Sequence, residues 1–181
     1  SIVELLLQGK TTTPADLVKD LPGDNEAKAE TIDNNLQHEI VKKMSSNPVY
    51  YGKLSEMLKK IIMQRKVAAM SYQEYLKQVV EMAEAILHPE DNGDYPDEVK
   101  NSAARRALFD YFEEDLELTV DVDGAIRIAI RPAWKKNRQK QQKIRLAIYE
   151  KLLLHSYSKD KAEEETNQVF DIAQRQEEYD A

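Results

Sequence analysis

The sequence predicts an all-α or nearly all-α fold, an irregular bundle of about seven helices. Three observations carry this. Gly and Pro number 5 and 6 in 181 residues, too few for a protein built on many tight turns. Apolar residues recur at i, i+3, i+4 and i+7 in segment after segment. Only one stretch, 116–131, is rich in β-branched residues.

The elements follow in order. Residues 2–8 form a short apolar start. Residues 9–29 hold two Pro and two Gly and read as a connection with room for one helical turn. From Thr31 a helix carries Ile32, Leu36, Ile40 and Met44 on one stripe. Asn47-Pro48 restarts the chain, since Asn suits an N-cap and Pro the first helical position. Tyr51, Leu54, Leu58, Ile61 and Ile62 make the next stripe, which runs to about Lys66. Ser71, with Glu74 three residues on, has the spacing of a capping box. Tyr72, Tyr75, Leu76, Val79, Val80, Ala83, Ile86 and Leu87 form the face behind it. Residues 88–96 (HPEDNGDYP) break that helix, and a further one is expected from Asp97 to about Glu114.

Residues 116–131 admit two readings. Asp123-Gly124 is a hairpin dipeptide, but a two-residue turn there would set Val120 against Arg127 and Asp121 against Ile126. Neither face would be cleanly apolar. As a helix, Leu118, Val122, Ala125, Ile126, Ala129, Ile130 and Ala133 share one side, and Gly124 costs about 1 kcal/mol. Helix is preferred. Residues 137–155 form a long helix with Ile144, Ala147, Ile148 and Leu152 inward. Residues 159–181 carry eight acidic and three basic residues and read as a peripheral helix fraying into an acidic tail. The expected organisation is thus 1–29 as helix and connection, 30–155 as the helical domain, and 156–181 as tail.

Composition excludes several function classes. With no Cys there is no disulfide scaffold, thiolate zinc site or cysteine nucleophile. No run of 18 apolar residues exists for a membrane span. The start at Ser1, with no basic segment before the apolar run, reads as a piece excised from something longer. Gly9-Lys10-Thr11 fails as a phosphate loop, because the required first Gly falls on Glu4; a helix ending at Gly9 is the better reading. Calcium-loop spacing fails around Gly93 and Gly124, leaving Asp91, Asp94, Asp121 and Asp123 as solvated loop and helix-end acids. His38, His88 and His155 lie far apart without metal spacing, and no serine-nucleophile motif occurs. No catalytic, cofactor or metal residues are assigned. Tyr50, Tyr51, Tyr72 and Tyr75 are expected in the core with hydroxyls reaching partners.

One electrostatic feature stands out on a chain of net charge −7. Arg131, Lys135, Lys136, Arg138, Lys140, Lys143 and Arg145 follow one another with no acid between. That leaves 19 basic against 33 acidic residues elsewhere. Trp134 sits just before the cluster, and Lys136, Lys140 and Lys143 fall on one face of a helix read through them. Three readings stay open: contact with nucleic-acid phosphates, contact with an acidic protein surface including the chain's own tail at 160–180, or a solvated face with Trp134 as core anchor.

Residues 47–82 resemble the C-terminal helical region of the R subunit of type I restriction enzymes (HsdR). The similarity lies in Pro48-Val49-Tyr50-Tyr51-x-Lys53-x-Ser55-Glu56-x-Leu58 and Ser71-Tyr72-x-Glu74-Tyr75-Leu76. Glu30-Thr31-Ile32-Asp33-Asn34-Asn35, Ala104-Arg105-Arg106-Ala107-Leu108 and Trp134-Lys135-x-Asn137-x-x-Lys140 extend it over roughly 30–153. At Lys135 and Lys136 the chain departs from the family pattern. The resemblance implies an assembly domain of a restriction endonuclease motor subunit. It would dock that subunit onto the modification and specificity subunits of the methyltransferase and sit beside the parent's upstream domains. The alternative is a contact with duplex DNA through 131–145. ATP and Mg are implied only for the parent's motor and nuclease domains, which cleave DNA by ATP-dependent hydrolysis, so no cofactor is expected in this piece. A bacterial or archaeal cytoplasmic setting, with no membrane partner, is implied as well.

Overall fold

The computed structural model describes residues 1–8 and 13–181, and it is all-α. The phosphate-loop candidate Gly9-Lys10-Thr11 lies outside the described residues. Ten α-helices occur among those described: α1 (Ile2–Leu7), α2 (Pro14–Leu17), α3 (Asn25–Lys43), α4 (Pro48–Lys66), α5 (Tyr72–Leu87), α6 (Asp97–Lys100), α7 (Ala103–Tyr111), α8 (Leu116–Ala129), α9 (Arg138–Leu154) and α10 (Lys159–Gln174). No helix among the described residues is long and apolar enough to cross a membrane.

The chain divides into two compact units. Unit 1 comprises residues 1–44 and 50–93. Its core takes Val3 and Leu6 from α1, Ile32, Leu36 and Ile40 from α3, Leu54 and Leu58 from α4, and Leu76, Val79 and Ile86 from α5. The tyrosines at the helix starts are pinned as well as buried. Tyr50 Oη donates to the Ala85 carbonyl at 2.6 Å and Tyr51 Oη to the Ile86 carbonyl at 3.2 Å, satisfying acceptors near the end of α5. Tyr75 Oη donates to Asp33 at 2.6 Å, and the Arg65 guanidinium donates to the same carboxylate at 2.6 Å and to Glu26 at 2.5 Å. Tyr72 has a buried hydroxyl with no hydrogen-bond partner.

Unit 2 comprises residues 45–49 and 94–181. Its core collects Ala104, Ala107 and Leu108 from α7, Leu118, Val122 and Ile126 from α8, Ile144, Ile148 and Leu152 from α9, and Val169 and Phe170 from α10. The helical reading of 116–131 is the correct one, and Asp115 caps α8 by accepting the Leu118 N–H at 3.1 Å.

Three boundaries differ from expectation for local reasons. The helix expected from Thr31 begins at Asn25. Gly23 turns the chain with φ +91°, where a Cβ would come within 2.6 Å of Ala27. Asp24 then accepts the Ala27 N–H at 2.9 Å and starts the helix early. The helix expected over 97–114 is two helices, because Ser102 takes an extended backbone and caps α7 through the Arg105 N–H at 3.1 Å. The last segment is helical over Lys159–Gln174 and contributes to the core of unit 2. Ala162, Val169 and Phe170 are buried, and a 3-10 turn at Glu177–Tyr179 places Tyr179 in the core. Several helices end without glycine: Ala68, Glu113, Glu114 and Ser156 follow α4, α7 and α9 with φ between 53° and 70°.

Two outcomes test this description. Gly124→Ala raises stability by about 1 kcal/mol in urea unfolding, since a Cβ there meets nothing within 4 Å and α8 gains a better helix former. Arg65→Ala lowers it by about 3–5 kcal/mol, because it strands the buried Asp33 carboxylate. A change smaller than 1 kcal/mol at Arg65 would show that water replaces the guanidinium.

Candidate functional site

The basic segment is built from the exit of α8. Arg131 Nη1 donates to the Ile128 and Ile130 carbonyls at 2.8 and 2.7 Å, covering acceptors at the helix end. Ala133 is left-handed with φ 58°, and a 3-10 turn follows at Trp134–Lys136. Asn137 caps α9 by accepting the Lys140 N–H at 3.0 Å. Trp134 is fully buried, and its indole N–H donates to the Tyr179 carbonyl at 2.7 Å. Its ring meets Phe170 edge-on at 5.9 Å. Of the readings left open for Trp134, core anchor is the one the structure shows.

The cations of the segment have different fates. Lys135 Nζ donates to the Gln176 carbonyl at 3.0 Å and pairs with the Asp180 carboxylate, so one basic residue does dock the chain's own acidic tail. Lys140 Nζ donates to the Pro132 carbonyl at 2.6 Å. Arg145 donates to Asn167 Oδ1 at 2.5 Å and lies over the Phe170 ring at 4.0 Å. Lys136 belongs to the 3-10 turn and precedes the N-cap, so the expected shared face of Lys136, Lys140 and Lys143 does not form. Lys136, Arg138 and Lys143 are exposed and have no hydrogen-bond or ion-pair partner among the described residues.

Lys135, Lys136, Arg138 and Arg145 come together around an open groove of about 630 Å³. The remaining lining side chains are the amides of Gln141, Gln142 and Asn167. Arg131, Trp134, Lys140 and Lys143 do not line it. A surface of guanidinium, ammonium and amide donors with no carboxylate among them holds anionic oxygens.

Unit 2 also holds a polar hub that sequence reasoning missed, tied to Trp134 through Tyr179. Asp123, expected as a solvated acid, is completely buried on α8. It accepts from Arg105 Nε at 2.8 Å, Arg127 Nε at 3.0 Å and Tyr179 Oη at 2.6 Å. Arg127 also donates to Glu178 at 2.9 Å and lies over the Tyr179 ring at 5.2 Å. A signal existed: Asp123 and Arg127 are four apart beside an apolar stripe. Burial pushes the Glu178 carboxyl up, but the Ser102 hydroxyl, the Ala104 N–H and Arg127 outweigh it and hold it below its ordinary value.

The histidines lie elsewhere. His88, Glu90 and Asp91 bring ligand atoms within 4.8 Å of one another, on a turn where His88 is exposed. His38 is exposed, and His155 pairs with Asp121 at 2.7 Å at the end of α9.

Because the Glu178 pKa is depressed on folding, its contribution is present above the ordinary carboxylate range and is lost as pH falls through and below it. Trp134, the chain's single tryptophan, reports the docking of Tyr179. Its emission shifts to the red on acidification with a midpoint below the ordinary carboxylate range, and Glu178→Gln moves or flattens that transition. An identical transition in the variant would separate Glu178 from tail docking.

With this geometry in hand, comparison with known proteins yields no relative: no family model, no curated protein and no solved structure matches the chain.

Proposed function

We propose that this chain is a binding module without catalysis of its own: the C-terminal helical assembly domain of a type I restriction motor subunit, docking that subunit onto its methyltransferase core. One observation carries the reading. The residues through which the chain resembles that family are the ones that make and tie its helices. Tyr50 and Tyr51 close the end of α5. Ser71 caps α5 by accepting the Glu74 N–H at 3.1 Å. Asp33 and Tyr75 form the buried network of unit 1. Arg105 reaches the hub, Trp134 anchors the tail and Asn137 caps α9. These residues hold the fold together and none of them is assigned a reacting role, which supports a binding role over a catalytic one. ATP and Mg then belong to the parent's other domains, and the methyltransferase subunits are the partner.

Unit 1 leaves apolar side chains for such a partner. Val41, Met63 and Val67 are 71%, 66% and 68% exposed, and Met63 and Val67 are four residues apart. The expected outcome is co-elution of the chain with its cognate methyltransferase core in the absence of DNA. Met63→Lys with Val67→Lys weakens that co-elution at least tenfold while the helical circular-dichroism signal stays unchanged. Failure to co-elute, with and without duplex DNA, would end the docking reading.

A further inference from the structure

The basic groove of unit 2 is not accounted for by docking of apolar faces. We infer that it is a seat for the phosphate backbone of a nucleic-acid duplex, formed by Lys136, Arg138 and Arg145. This inference stands or falls independently of the docking reading.

The charges of the segment are not equally available. Arg131 and Lys140 are turned onto carbonyls of their own loop. Lys135 is shared with Asp180. Lys136 and Arg138 have no carboxylate in salt-bridge reach among the described residues, on a chain with an excess of seven acids. Arg145 contacts only an amide and a ring, so its charge is not neutralised. Three cations left uncompensated around one groove make a local positive field on an acidic molecule.

The geometry fits an extended anion. Arg138, Gln142 and Arg145 recur at i, i+4 and i+7 along α9, so donors repeat along the helix over about 10 Å. The groove is open to solvent and is lined by donors and amides, which suits phosphate oxygens. It lacks the aromatic and aliphatic lining that a protein hot spot needs. The absence of an aromatic ring from the groove lining favours a duplex over a single strand. Single-strand binding draws on exposed aromatic rings on which bases stack. The one tryptophan of the segment is buried with its N–H engaged, so the groove has backbone contacts to offer and no stacking platform. Contact of this kind carries no sequence preference.

The test is fluorescence anisotropy of the full chain with a labelled DNA duplex across a salt series. Three neutralised phosphates give a slope of log K on log salt near −2.7, a loss of about 40-fold between about 50 and 200 mM. Lys136→Glu with Arg138→Glu cuts that loss to about fourfold, which is the one-contact slope. Neither residue holds the fold together, and Lys59→Glu, an exposed control in unit 1, leaves binding unchanged. Wild-type salt dependence in the double variant would overturn the inference, as would absence of binding at the lowest salt. Tighter binding to poly(dT) of equal charge would overturn the duplex assignment. Stronger competition by polyglutamate than by duplex would give the groove to an acidic protein, and displacement by equimolar inorganic phosphate would give it to a lone anion.

Discussion

A buried carboxylate organises unit 2. Taking Asp123 out of water costs several kcal/mol unless its lone pairs are met, and removal of a partner leaves that cost uncovered. The partners come from α7, from α8 and from the turn at residues 177–179. Where the tail runs is therefore a consequence of where Asp123 sits. Tyr179 reaches the hub with its hydroxyl and offers its carbonyl to Trp134, which fixes the turn that carries Lys135 and Lys136. The orientation of the groove traces back to a charge that lies outside it.

Unit 1 reaches the same solution with different elements. Asp33 on α3 is buried and receives Arg65 and Tyr75, and the guanidinium lies 5.2 Å from the tyrosine ring centre, as Arg127 does from Tyr179. In both units the arginine has a second, more exposed acid, Glu26 in one and Glu178 in the other. No sequence period relates the two sets. Helices packed mainly by aliphatic residues have several registers of similar energy, and one polar cluster with fixed donor geometry disfavours the others.

Much of this was legible in the sequence. Stripes of apolar residues found most of the long helices and resolved 116–131, because helix and hairpin make opposite demands on Leu118, Val122 and Ile126. The capping residue Ser71 did what its chemistry suggested. What escaped was decided by pairing across long separations. Asp123 reads as a turn residue until Arg105 and Tyr179 are beside it. The acidic composition of 159–181 speaks for solvent until Val169, Phe170 and Tyr179 meet Trp134. Of the eight residues singled out in the basic segment, four line the groove and four do not: Trp134 is buried, and carbonyls claim Arg131 and Lys140.

The left-handed corners that follow α4, α7 and α9 have a consequence for how the molecule loses its structure. A glycine corner holds its shape at no conformational cost, but alanine, glutamate and serine at positive φ lie uphill by roughly 1 kcal/mol each and stay there only while neighbouring helices hold them. Such a corner stores no preference of its own for the native turn. When one of the helices it joins detaches, the corner relaxes to another backbone basin and the next helix loses its bearing. Melting then spreads along the chain through its connections, so each unit opens as a block and its helices do not peel away singly.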